Sequence, residues 1–350
     1  MMDSKESIER IFCKITRSKQ IHEAVLLAEN LEGDFSIRNE YGGRNIHSPL
    51  LLASITKLFI TACILILQEK NKLSLEDTLT VYFDERTLKG LHIFRGKEYS
   101  REITIANLLF QTSGLPDWFE EGGFKKLAVQ KDFCVDFEEM LDKTKSLKSH
   151  FSPVFSRNAY YSDINFDLLG KVIERIMDMP LSEVFRTFLF APLGLGKTYL
   201  PTNREDFIPP IYYKDELLHR PNFILSCYAN GGAVSTAYEL MRFLKAFFTG
   251  MYFSKDIFSR LSEYRKLQMT MGPIYYGGGY MQIPLASLNT FFMGKGELLG
   301  HSGTTGSFAF HYPEKELFLV GDLNQMKSPS LPIQTAMKLA MALKNFNEGL

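Results

Sequence analysis

The chain has 350 residues, 45% hydrophobic and 23% charged, with 40 basic and 40 acidic side chains and a formal net charge of zero. That length exceeds what one core usually organises, so two packed subdomains are expected. A neutral balance without blocks of like charge excludes an electrostatic footprint for nucleic acid or an anionic membrane surface.

The opening residues, MMDSKESIERIFCKITRSK, read as a polar amphipathic helix and lack the apolar centre of a signal peptide. As the chain stands, this predicts a cytoplasmic location, or an extracytoplasmic one if a leader has been removed. Glu23–Leu31 and Asp34–Asn39 read as a hairpin followed by a turn at Gly42-Gly43. From Ser54 the period becomes helical, with Leu58, Phe59, Ala62, Leu65 and Ile66 on one face until about Asn71. The longest apolar run, Leu58 to Leu67, is too short to span a bilayer.

Residues 72–224 read as helical and loop-rich. Their clearest helix follows Asp163, where Leu168, Leu169, Val172, Ile173, Ile176 and Met177 form a stripe that ends before Pro180. Beyond Asn230-Gly231-Gly232, a helix is expected over about Thr236–Phe248. Strands are expected at Tyr275–Ile283, Thr290–Met293, Ser307–Tyr312 and Leu317–Asp322, the last two joined by a turn at Pro313-Glu314-Lys315-Glu316. The helix Leu331–Lys344 closes the chain.

Strands at both ends with helices between them predict an α+β fold. Residues 1–71 and 225–350 would form one discontinuous domain, an antiparallel sheet flanked by helices. Residues 72–224 would be inserted as an all-helical second lobe. The active site is expected at the junction.

Three motifs carry chemistry: Ser54-Ile55-Thr56-Lys57, Tyr161-Ser162-Asp163 and His301-Ser302-Gly303. A serine hydroxyl needs a group to take its proton before it attacks. Ser-x-x-Lys at a helix start sets the ammonium one turn from the hydroxyl on the same face, and the helix N-terminus favours developing negative charge there.

The surroundings of these motifs carry a family resemblance. SPLLLASITKLFITACILILQEKNKLSLEDTL resembles the nucleophile helix of the serine β-lactamase and DD-peptidase superfamily, in particular the class C β-lactamase branch with its peptidase and esterase relatives. ITIANLLFQTSGLPDW resembles the Thr-Ser-Gly-Leu-Pro segment at that branch's site rim. YYSDINFDLLGKVIERIMDMPLSEVFRTFLFAPLGL is similar to the Tyr-x-Asn element and its helices, ANGGAVSTAYELMRF to the Gly-Gly turn and helix, and GHSGTTGSFAF to the Lys/His-x-Gly strand. In order, the resemblance covers roughly residues 45 to 325.

The resemblance implies a serine hydrolase that needs no cofactor and cleaves an amide or ester in a small molecule or short peptide. Ser54 would be acylated, Lys57 would tune or accept its proton, and Tyr161 would relay it to the leaving group. Backbone N–H groups of Ser54 and Thr304 would hold the oxyanion, and Gly303 would let the substrate lie against the strand. β-Lactams, D-amino-acid peptides and small esters stay open as substrates. So do two variants: a carboxylesterase on the same fold, and a penicillin-binding or sensing module that acylates and turns over poorly.

Three departures from the family pattern stand out. Asp163 replaces the usual Asn, so it can only accept when ionised; it would make Lys57 mainly an electrostatic partner. His301 replaces a lysine whose fixed charge holds a substrate carboxylate, and a histidine is mostly neutral at pH 7. Trp118, the only tryptophan, would offer an apolar wall to the substrate, or be packed as core.

Other signals fall away. Gly194-Leu195-Gly196-Lys197-Thr198 looks like the end of a phosphate loop, but Ala191 stands where the leading glycine belongs and Pro201 follows. Gly277-Gly278-Gly279 reads as a permissive bend within a strand. Cys13, Cys63, Cys134 and Cys227 are widely separated and form no C-x-x-C pair. The seven histidines form no metal-binding motif, so no metal is expected.

Overall fold

The computed structural model describes residues 4–154, 157–261, 263–286 and 294–343. Its centre is an antiparallel sheet built from both ends of the chain. The strands are β1 (Ala24–Asn30), β2 (Ser36–Tyr41), β3 (Arg265–Lys266), β4 (Tyr275–Gly277), β5 (Tyr280–Pro284), β6 (Glu297–Ser302), β7 (Ser307–Tyr312) and β8 (Leu317–Asp322). They lie in the order β2-β1-β8-β7-β6-β5-β4-β3. The β1–β8 pairing, with Val25 opposite Asp322 and Asn30 opposite Leu317, stitches the N-terminal hairpin to the C-terminal strands. β8 is buried along its whole length, which fits its near-continuous apolar sequence.

Six helices of eleven or more residues, counted among the described residues, are α1 (Ser4–Thr16), α2 (Thr56–Glu69), α3 (Ile164–Met177), α4 (Pro221–Gly231), α5 (Ala237–Thr249) and α6 (Leu331–Ala342). α5 packs on β1, β7 and β8, and α6 packs on β6, β7, β8 and α1. α2 is buried from Thr56 to Leu67, on every face, as a helix through the middle of a large core must be. Its Phe59 ring meets Phe185, Phe190 and Phe243 edge-on, with centroids 5.6, 5.1 and 4.5 Å away. No described helix is long and apolar enough to cross a membrane.

The antiparallel sheet with flanking helices expected from sequence is observed, and several boundaries carry physical lessons. The expected strand Tyr275–Ile283 is two strands, β4 and β5. Gly278 and Gly279 adopt φ of +62° and +83°, the left-handed pair that a two-residue hairpin turn needs; the glycines reverse the chain rather than bend it. Between 72 and 224 there are helices and also two small hairpins, Ile93–Phe94 with Lys97–Glu98 and Ile211–Tyr213 with Glu216–Leu218. The first turns at Arg95-Gly96, both with positive φ. The expected strand Thr290–Met293 lies outside the described residues. The Gly194–Thr198 loop is a structural tie: Glu239 on α5 accepts from the Lys197 N–H at 2.9 Å and from the Thr198 hydroxyl at 2.6 Å.

Candidate active site

Ser54 sits on a turn that the sheet holds in place. Thr305 Oγ1 donates to the Leu51 carbonyl and Ser307 Oγ to the Leu52 carbonyl, each at 2.9 Å. From the other side, the Leu52 N–H donates to the Ala233 carbonyl at 2.9 Å. Between these anchors Ala53 is forced to φ +45°, a conformation that costs a non-glycine residue roughly 1–2 kcal/mol. Gly303 must be glycine for the same packing. A Cβ there would come within 2.3 Å of Ser307 Oγ and 2.5 Å of the Leu52 carbonyl oxygen. The space its missing side chain leaves is thus taken by the Ser54 turn.

Lys57 lies three residues on, at the start of α2, and is 0% exposed. Its Nζ donates to Ser54 Oγ at 3.2 Å and to the Asn230 carbonyl at 2.7 Å. It approaches Asp163 Oδ1 at 2.7 Å. That last contact is an ion pair and not a hydrogen bond, since Oδ1 has no hydrogen-bond partner among the described residues. Two hydrogen-bond acceptors and one carboxylate thus surround the ammonium.

Tyr161 is partly buried and lines the same cavity as Ser54. Burial and the Asp163 charge push its phenol well above the usual range, while its hydrogen bond to Ser54 pulls the other way. The phenol therefore stays protonated beside the serine. His301 is fully buried, with its ring centroid 6.0 Å from that of Tyr161. Burial first and Lys57 second push its imidazole down to about 3, so it is neutral. Its Nδ1 pairs with the Ser302 carbonyl at 2.8 Å, and among the described residues its Nε2 has no hydrogen-bond partner. Nδ1 thus carries the hydrogen and Nε2 offers a lone pair.

These residues meet at a cavity of about 580 Å³. Ser54, Tyr161, Asp163, Gly303 and Thr304 line it, while Lys57 and His301 stand behind that wall. Apolar groups such as Phe119, Phe223, Ile224, Met271 and Met281 line it as well. Trp118 is 0% exposed. It borders the cavity, yet its indole N–H donates to Asp167 Oδ2 at 3.1 Å, so the ring is anchored in the core.

Sequence reasoning passed over two further carboxyls, Asp167 behind this wall and Asp117 on it. Asp167 lies one turn after Asp163 on α3 and accepts from Asn230 Nδ2 at 2.8 Å. Burial, then Asp163, push its carboxyl up to about 7. Asp117 is raised as well, first by burial and then by Asp163. The i, i+4 spacing of Asp163 and Asp167 was the available signal; on a helix with an apolar stripe, two acids on one buried face are out of pattern. Asn230 was visible only as part of a Gly-Gly turn.

The chain is similar to known proteins at low identity. The beta-lactamase family model matches residues 44–343. The chain is 25% identical over 331 residues to penicillin-binding protein 4* of Bacillus subtilis, covering 86% of this chain and 67% of that protein. It is 26% identical over 204 residues to esterase EstB of Burkholderia gladioli, covering 54% of this chain and 49% of that one, so it spans about half of that relative. In structure it is similar to a D-amino acid amidase from Ochrobactrum anthropi complexed with L-phenylalanine amide. The TM-score is 0.79, with 19% identity over 99% of both chains.

Proposed function

The chain belongs to the beta-lactamase family, and on that premise we propose that it is a serine hydrolase that cleaves an amide or ester through an acyl-enzyme on Ser54. The observation that carries this reading is Lys57: a buried ammonium 3.2 Å from a serine hydroxyl that opens onto a cavity. Ser54 Oγ forms a bond to the acyl carbon as its proton passes to the Tyr161 oxygen, which in the same relay gives up its own phenolic proton. That phenolic proton goes to the amine or alcohol as its bond to the acyl carbon breaks, and Tyr161 is left protonated by the Ser54 proton. Water takes the acyl group in the second half-reaction and restores the Ser54 hydroxyl. The N–H groups of Ser54 and Thr304, both residues lining the cavity, serve as oxyanion donors. Fixed donors of this kind are often the largest rate term.

The neutral, buried His301 supplies no cation for a substrate carboxylate. This favours peptides, amides or esters without that handle over β-lactams, and the relatives include a protein titled esterase and one titled D-amino acid amidase. In this reading the chain divides into a sheet part, 1–71 with 225–350, and an inserted part, 72–224. The cavity draws Ser54 and Thr304 from one part and Phe119 and Tyr161 from the other.

A second reading has its own support. Lys57 is ion-paired with Asp163 and bonded to two acceptors, and Tyr161 is held protonated, so the site has little base to activate a deacylating water. A penicillin-binding module with slow turnover fits that state. One panel separates the two: nitrophenyl butyrate, a D-amino-acid amide and a fluorescent penicillin, each tested on the parent and on Ser54→Ala. Turnover of ester or amide lost in Ser54→Ala supports the hydrolase; a lasting penicillin adduct without turnover supports the module.

A further inference from the structure

α4 is broken next to the reacting groups, and α3 holds the break. Tyr228 adopts φ 31° and ψ −106° inside α4, a strained pair for a non-glycine residue. Its hydroxyl donates to Glu174 and accepts from the Leu181 N–H at 3.2 Å. Two residues later the chain is tied to α3 again, through Asn230 Nδ2 on Asp167 Oδ1 at 2.8 Å. Between the ties, α3 and α4 approach so closely that a Cβ on Gly170 would lie 2.6 Å from that of Ala229. The outcome is that the Asn230 carbonyl, released from helical bonding, points at Lys57 Nζ, 2.7 Å away.

We propose that Asp167 is a positioning residue for Ser54 chemistry. Through the Asn230 side chain it fixes the carbonyl that holds Lys57, and its own charge state is coupled to the Lys57 ammonium. It does not line the cavity, so it acts through Asn230 and not on substrate. The coupling is short: Asp167, Asn230 and Lys57 form one chain of contacts, each residue no more than 4% exposed.

The groups facing Asp167 are Lys57 from α2, Asp163 from its own helix and Cys227 from α4, together with the indole N–H of Trp118 and the amide of Asn230. Asp117 lies beyond Asp163, which it feels directly. Burial and Asp163 oppose ionisation of Asp167; the two N–H donors and Lys57 favour it. The balance near neutrality, at about 7, lets this carboxyl change charge around pH 7.

The proposal rests on the serine-hydrolase reading for its consequence but not for its test. Trp118 is the only tryptophan, and its indole N–H donates to Asp167, so its emission reports that carboxyl directly. Titration of the parent from pH 5 to 9 gives an emission transition near pH 7, absent in Asp167→Asn. In Lys57→Gln the transition moves upward, because the ammonium that favours the carboxylate is gone. On an ester substrate, Asp167→Asn loses the limb of the kcat/KM profile near pH 7. A parent without the transition, a transition unmoved in Lys57→Gln, or an Asp167→Asn profile scaled down without change of shape each overturns the proposal. If Ser54→Ala retains ester hydrolysis, the hydrolase reading falls alone; the two emission titrations still decide the coupling of Asp167 to Lys57.

Discussion

Removing one member of the Lys57–Asp163 pair, and then both, separates structural from chemical roles. Lys57 Nζ and Asp163 Oδ1 are 2.7 Å apart, with side chains 0% and 11% exposed. At an effective dielectric of ~20, a pair this close attracts by about 6 kcal/mol. Desolvation costs several kcal/mol per ion and offsets most of that. The net value against an apolar replacement is therefore small, while a lone buried charge is costly. Lys57→Met strands the Asp163 carboxylate, and Asp163→Ala strands the ammonium. Each is expected to destabilise by about 3–5 kcal/mol, on the order of 10 °C in Tm. The double variant Lys57→Met/Asp163→Ala is expected to recover most of the loss. All three are expected to lose about 10²-fold or more in ester hydrolysis, since the proton carrier or its anchor is gone. Urea unfolding and nitrophenyl ester kinetics on the four proteins provide the cycle. Single variants costing under about 1 kcal/mol, or a double variant as unstable as the sum of the singles, would refute the reasoning.

Gly303→Ala is expected to cost about 1–3 kcal/mol and most of the activity, since the new methyl collides with the Leu52 carbonyl under Ser54; thermal melts and ester kinetics check both. His301→Gln, which keeps a neutral polar group, is expected to retain activity within about tenfold and leave the pH profile unchanged, because His301 is neutral throughout. A shifted profile would assign it a charge. Burial raises the carboxyls of Asp167 to about 7 and Asp322 to about 6 from 3.8 in the unfolded chain. The folded state thus binds the extra protons, and the stability they contribute is full below pH 3.8 and lost as pH rises through 6 and 7. Unfolding of Asp167→Asn at pH 4 to 7 is expected to show a gain relative to the parent as pH rises.

What the sequence disclosed was local. Ser54 and Lys57 face each other because helix geometry alone puts residues three apart on one face. β7 and β8 could be bounded because the turn at Pro313–Lys315 separates two apolar stretches. The middle of the chain showed its longest helix through the stripe on α3. What stayed hidden depends on distant partners. The role of Trp118 is set by Asp167, 49 residues away, and the Asn230 carbonyl is aimed by a helix break that no residue type signals. Gly303 was expected to serve the substrate; its neighbours show that it first makes room for the Ser54 turn. In sequence the three glycines at 277–279 permit a bend or a hairpin alike, and only the pairing of Gly277 with Tyr280 distinguishes them.

The central claim is a covalent bond from Ser54 to an acyl group. Rapid acid quench of the protein during nitrophenyl butyrate turnover, followed by intact mass and peptide mapping, tests it directly. The account predicts one butyryl group on the peptide containing Ser54 and none in Ser54→Ala, with ester hydrolysis lost in that variant. Hydrolysis that persists in Ser54→Ala without any adduct would contradict it.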